Sequence, residues 1–358
     1  MARALKGLIA VSISVALALG LAEGLLQLVN LPAAEFSPWI RAEDTAYRHA
    51  AGLSTRMRRA PEYDVLFETN QAGLRDDEID ENHDGPRIVL LGDSFTSGYG
   101  VERGDLFADL LEQRLQTDGG STIDVINAGV GGYEIVHQIY YFADRGRALE
   151  PDLVLYVLYL GNDLCRNVEW IETPEGLRSA SREFPVRPKR DIKLARLLRQ
   201  ARYALREQTA RRAGEWVPFD DYLRLCEREP DEEVTEWYRS SARLLARLRD
   251  SVEASGARFI VAPFAFRTSI DPAARRNFEQ GENAARYDLD RPEREVLAIL
   301  RAEGIETINL NDALRRYYET HAQGEPLYFE IDGHFNSAGH KVIADALHAP
   351  LRDSLAAR

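Results

Sequence analysis

The chain has 358 residues, 45% of them hydrophobic, and its 58 acidic and 45 basic side chains give a formal net charge of −13. That apolar content supports one large elaborated domain, or a domain with a cap. The acidic balance excludes a nucleic-acid partner, whose phosphates need a basic face, and the basic residues are interleaved with acidic ones as on a solvated surface.

Arg3 and Lys6 precede a mostly apolar run from Gly7 to Ala22, which Glu23 interrupts and Gly24 to Val29 resumes. A basic start before an apolar core is the form of an export signal or an uncleaved anchor. Up to Glu23 the run falls short of the ~20 residues that span a bilayer, and through Val29 it is long enough. Residues 1–31 are therefore expected to be a transmembrane anchor or signal segment, making the membrane a partner. The positive charge ahead of the segment places the N-terminus in the cytoplasm and the body on the periplasmic or extracellular side. Ala16 and Ala18 offer a small-residue cleavage pattern, and cleavage there would make the protein secreted.

Residues 32–85 read as a linker with an N-terminal β-hairpin. Asp64 to Asn70 is its first strand, and Gln71 to Arg75 its turn and return. Arg87 to Leu91 is a short aliphatic run typical of a strand buried on both faces. It stops at Gly92, and Asp93, Ser94 and Thr96 are residue types that start helices. Ser94 then lies at the carboxyl edge of a strand, where open α/β sheets place ligands, with its backbone N–H free to meet negative charge.

Leucines at 106, 110, 111 and 115 have helical spacing that ends at Gly119-Gly120. A second strand, Ile123 to Ile126, runs into a glycine cluster, Asn127 to Gly132. Tyr133 to Arg145 follows as a helix, and Pro151 to Leu160 as a long central strand that ends in Gly161-Asn162-Asp163. Residues 167–230 read as an inserted cap or a surface insertion, helical from Lys193 to Ala213. Beyond it come a helix from Glu232 to Ala254, a strand from Arg258 that Pro263 stops near Phe264, a helix from Pro292 to Glu303 and a strand from Glu306 to Leu310. The C-terminal part holds Glu330, Asp332, His334 and His340 before a last helix, Lys341 to Leu355. Strand–helix alternation implies a parallel sheet with right-handed crossovers. Cys165 and Cys226 have no metal-ligand spacing and read either as two buried thiols or as one disulfide.

A serine hydroxyl needs a base within hydrogen-bond reach, and the base needs an orienting carboxylate. His334 and Asp332 supply both, and the Ser94 N–H, the Gly132 N–H and the Asn162 side-chain amide are candidate oxyanion donors. Four blocks in this order, Gly92-Asp93-Ser94-Phe95, Asn127 to Gly132, Gly161-Asn162-Asp163 and Asp332-Gly333-His334, resemble the SGNH/GDSL hydrolase superfamily. The resemblance covers 86–358 outside the insertion. It implies a flavodoxin-like three-layer α/β/α catalytic domain with a Ser94-His334-Asp332 triad, an oxyanion hole of Ser94, Gly132 and Asn162, and no metal or organic cofactor. The family commonly has two residues between the acid and the histidine. Here there is one, a spacing similar to some acyltransferase relatives, so Glu330 is the alternative acid. His137 and His340 read as packing residues, and Asp93 and Asp163 as loop hydrogen-bonding groups. The expected function is serine-esterase hydrolysis of acyl esters, on a small molecule or an acylated saccharide. The alternatives are an O-acyltransferase or deacetylase acting on cell-wall or extracellular polysaccharide, and an inert carbohydrate-binding scaffold.

Overall fold

The computed structural model describes residues 14–15, 17–26, 39–41, 47–80, 82–119, 122–165, 170–173, 176–179, 220–321 and 324–356. It divides into two units, 1–37 with 185–217, and 38–184 with 218–358. Of the first unit only helical residues from 14 to 26 are described. Val15, Leu17, Leu19, Leu21 and Leu25 there are exposed. Among the described residues no helix is long and apolar enough to cross a membrane. Most of the expected anchor, and the expected helix from Lys193 to Ala213, lie outside the described residues.

The second unit is built on five parallel strands: β5 (Arg87–Leu91), β6 (Asp124–Asn127), β7 (Leu153–Tyr159), β10 (Arg258–Phe264) and β11 (Glu306–Thr307). Their order is β11-β10-β7-β5-β6, and every pair is parallel. All seven residues of β7 are buried, as an unbroken aliphatic and aromatic run requires. Two antiparallel pairs precede the sheet, β1 (Trp39–Arg41) with β2 (Tyr47–His49) and β3 (Ser54–Arg59) with β4 (Tyr63–Glu68). A third, β8 (Trp170–Thr173) with β9 (Gly176–Ser179), lies in the insertion.

The helices are α1 (Ser94–Ser97), α2 (Phe107–Gly119), α3 (Ile135–Tyr141), α4 (Asp220–Leu225), α5 (Glu232–Glu253), α6 (Arg267–Ile270), α7 (Pro272–Glu279), α8 (Arg291–Ala302), α9 (Leu310–Thr320) and α10 (Ser337–Ala356). On one face of the sheet α10 packs on α2 and α9; on the other α5 packs on α3 and α8. That is the three-layer arrangement expected when right-handed crossovers run first one way along the sheet, from β5 to β6, and then the other, from β6 to β7 and on to β10 and β11. The chain turns back between β6 and β7, so the switch in strand order falls at β5, where open sheets form a crevice beyond their carboxyl ends.

Four sequence-based expectations are corrected. The strand read from Asp64 is the second of its hairpin: it pairs backwards with Ser54–Arg59, while Asn70 closes a separate turn by accepting from the N–H groups of Ala72 and Leu74. The strand expected over Arg258 to Phe264 has those bounds, but Pro263 is a member of it and not its stop. It stays in register with Leu158, and its nitrogen faces the β11 side beyond the end of that two-residue strand, so no ladder bond is lost. The strand expected over Glu306 to Leu310 ends at Thr307, because the Asn309 side chain accepts from the Asn311 N–H and starts α9. Tyr133 to Arg145 is helical only from Ile135, and passes at Phe142–Gly146 into one wider turn. Cys165 and Cys226 are both buried free thiols, which settles the disulfide alternative.

Candidate active site

The turn that presents Ser94 follows from two residues. A Cβ on Gly92 would stand 1.9 Å from Thr96 Oγ1, so only glycine lets the chain fold back on itself there. Asp93 then caps α1, its Oδ1 accepting from the Phe95 N–H at 2.9 Å. Ser94 is left half-buried at the carboxyl end of β5. Gly132 follows β6 at φ +79°, and Asn162 follows β7. The three expected oxyanion donors therefore stand at the carboxyl ends of three neighbouring strands. Asn162 makes no side-chain hydrogen bond among the described residues, and its Oδ1 is buried without a partner.

The loop before α10 brings His334. Phe329 and His334 close it, the Phe329 N–H donating to the His334 carbonyl at 2.9 Å, and Gly333 takes φ +86° between Asp332 and His334. Phe335 is buried against Phe95 at 5.0 Å and Phe264 at 5.1 Å, which pins the loop onto the turn that bears Ser94. The imidazole of His334 lies 4.6 Å from the ring of Phe95 and 5.6 Å from that of Tyr99. Its Nε2 is 2.7 Å from Ser94 Oγ, and its Nδ1 meets Asp332 Oδ1. A carboxylate only accepts, so Nδ1 carries the proton and Nε2 is left to accept from the serine. Burial pushes the Asp332 carboxyl up, but the bond to His334, with Arg59 and Tyr63 nearby, brings it below its ordinary value, so it is ionised at neutral pH.

The alternative acid is elsewhere. Glu330 is exposed, and its main-chain oxygen accepts from Arg267 at 3.3 Å. His340 is buried against Phe107, accepts from its N–H at 3.1 Å and is pushed down to about 3 by burial. His137 accepts from the Glu134 N–H at 3.1 Å and is pushed down to about 4, again by burial. Both are neutral packing residues. Asp163 accepts from the Tyr156 hydroxyl at 2.8 Å and the Tyr159 N–H at 3.1 Å, holding the end of β7. Burial holds both it and Asp93 above the ordinary carboxyl range.

The sequence reading did not find Arg59, Glu62 and Tyr63. They come from the β3–β4 hairpin and reach the Asp332 loop across about 270 residues of chain, a contact for which no local motif exists.

The parallel sheet thus carries a serine, an imidazole and a carboxylate in one hydrogen-bonded line at its carboxyl edge, an arrangement able to activate a serine hydroxyl. Residues 90–342 match the GDSL-like lipase/acylhydrolase family, and the chain belongs to that family of ester-cleaving hydrolases. No curated protein sequence matches it. Among solved structures it is similar to LAE5, an alpha/beta hydrolase enzyme from the metagenome of Lake Arreo, Spain, at 18% identity, with 74% of this chain and 94% of that chain covered and a TM-score of 0.42. It is also similar to the acetyl xylan esterase AlAXEase, at 13% identity, 74% and 99% coverage and a TM-score of 0.43. A third is the lipase/acylhydrolase from Enterococcus faecalis, at 14% identity, 75% and 96% coverage and a TM-score of 0.42.

Proposed function

We propose that the protein is a serine esterase in which Ser94 is the nucleophile, His334 the general base and Asp332 its orienting acid. One observation carries this reading: His334 bridges Ser94 Oγ and Asp332 with its two nitrogens. Ser94 Oγ attacks the ester carbonyl carbon as its proton passes to Nε2, and the carbonyl electrons move onto oxygen. The Ser94 and Gly132 N–H groups and the Asn162 amide donate to that oxyanion. Its collapse breaks the bond to the leaving alkoxide, which takes the proton from Nε2. Water, activated by the same imidazole, then attacks the acyl-serine and releases the acid. Membership of an acylhydrolase family supports water as the second acceptor.

Residues 1–31 fit a membrane-tethering or export role, with the catalytic domain on the periplasmic or extracellular side. The support is the basic start at Arg3 and Lys6 followed by exposed apolar side chains from Val15 to Leu25. Hydrolysis of p-nitrophenyl acetate tests the catalytic reading. Ser94→Ala is expected to lower kcat by about 10⁴-fold or more with the fold intact, and equal rates in the two proteins would overturn it.

A further inference from the structure

The β3–β4 hairpin precedes the family-matched region of 90–342, yet three of its side chains end on the loop that carries the acid. The Tyr63 hydroxyl donates to Asp332 Oδ2 at 3.0 Å, the oxygen that His334 leaves free. Glu62 accepts from two successive main-chain groups, the Ile331 N–H at 2.6 Å and the Asp332 N–H at 2.8 Å. Arg59 Nη1 lies 3.7 Å from Asp332 Oδ2, and its Nη2 donates to the Ile331 carbonyl at 3.5 Å. Asp332 is 10% exposed and Glu62 9%, so these bonds are largely shielded from water.

Each contact removes a different freedom. A carboxylate bound through one oxygen can still rotate about Cβ–Cγ, and a donor on the second oxygen stops that rotation. The loop itself turns at Gly333 with φ +86°, a residue that imposes little on its neighbours. The two-oxygen grip of Glu62 fixes the main chain there. Tyr63 is held in place by its ring contact with Phe329 at 5.0 Å, and burial, reinforced by the Asp332 charge, keeps its hydroxyl protonated and therefore a donor.

We propose that Tyr63 and Glu62 are positioning residues of the catalytic site, Tyr63 fixing the rotation of the Asp332 carboxylate and Glu62 the backbone that bears it. This rests on the triad reading above. The titratable and charged groups around the Asp332–His334 pair are Tyr63, Glu62 and Arg59 from the hairpin, Asp93 and Tyr99 from the nucleophile turn, and His340 from α10.

The test uses the full chain, p-nitrophenyl acetate, and the variants Tyr63→Phe and Glu62→Gln, with kcat, KM, the pH profile of kcat/KM and Tm measured for each. Tyr63→Phe keeps the ring and loses only the donor. It is expected to lower kcat about tenfold with KM within about twofold, in a protein that stays folded at the assay temperature. Losing that donor leaves more negative charge facing the imidazole, so the acid limb of the profile moves upward. Glu62→Gln offers an amide where one of two N–H groups needs an acceptor, and is also expected to lower kcat about tenfold. Wild-type kcat and an unmoved limb in Tyr63→Phe overturn the proposal. So does a fall in kcat that merely tracks a loss of folded protein. Were Ser94→Ala as active as wild type, the triad reading would fail and this inference with it. An inactive Ser94→Ala beside a wild-type-like Tyr63→Phe would remove this inference alone.

Discussion

His334 Nε2 stands 2.7 Å from Ser94 Oγ although 240 residues of chain separate them. The contact exists because α10 packs on α2 and seats the loop before it against the turn that bears Ser94. The imidazole is useful there only in one tautomer. Asp332→Asn places an amide where Nδ1–H needs an acceptor and favours the wrong one, so kcat should fall by about 10³–10⁴-fold, by analogy with other serine triads. Glu330→Ala should leave kcat within about twofold, since that exposed side chain lies outside any catalytic unit. Steady-state hydrolysis of p-nitrophenyl acetate by both variants checks the pair, and a larger loss in Glu330→Ala would reassign the acid.

The bend after β5 should tolerate no side chain. An alanine methyl at 92 meets Thr96 Oγ1 at 1.9 Å and the Val157 carbonyl at 3.2 Å, both on packed elements. Gly92→Ala is expected to destabilise the fold by roughly 1–3 kcal/mol and to displace Ser94, with activity lost out of proportion to stability. Chemical denaturation alongside activity measures both.

Arg75 is fully buried and faces carbonyls in place of a carboxylate. It donates to Ser97 O at 3.0 Å, Val101 O at 2.5 Å, Leu66 O at 3.2 Å and Gly98 O, and stacks over Phe67 at 4.6 Å. Burial pushes its guanidinium down to about 10, which leaves it charged at neutral pH. It ties the N-terminal hairpin to the loop after the nucleophile. Arg75→Met leaves four carbonyls without that donor, and a loss of roughly 3–5 kcal/mol is expected in the denaturant midpoint. An unchanged midpoint would show that the staple contributes nothing.

Asp76 makes stability depend on pH in a direction opposite to most carboxylates. Burial raises it from an ordinary 3.8 to about 7, although it accepts from the Asn127 N–H at 2.7 Å. The folded state then holds a proton that the unfolded chain releases. This contribution is fully present below the unfolded value and is lost as pH rises through the folded one. Between about pH 5 and pH 8 the wild-type denaturant midpoint should therefore fall further than that of Asp76→Asn, which cannot ionise. Parallel slopes in the two proteins would contradict the assignment.

The sheet and the loops that bear Ser94, Gly132, Asn162 and His334 are legible because each rests on a local signal. The runs that become β5 and β7 are too continuously apolar to be surface, and each ends in glycine and polar residues where the fold needs a turn. The hairpin was misread for a physical reason. Ser54–Arg59 is mostly polar, with only Met57 buried, so its alternation hardly shows, and the more apolar Asp64 to Asn70 reads as the leading strand. The α9 start carried a legible cap at Asn309 that the short apolar run before it obscured. What could not be read at all was the pairing of Tyr63 with Asp332, since it depends on where two distant loops land once the core has formed.

Peptide mapping after reaction with a fluorophosphonate probe tests the nucleophile without knowledge of the natural ester. A single adduct on the peptide containing Ser94, absent from Ser94→Ala and strongly slowed in His334→Ala, is the expected result. Labelling of a different serine, or equal labelling in the wild type and in Ser94→Ala, would contradict the assignment of Ser94 as the group that attacks the ester.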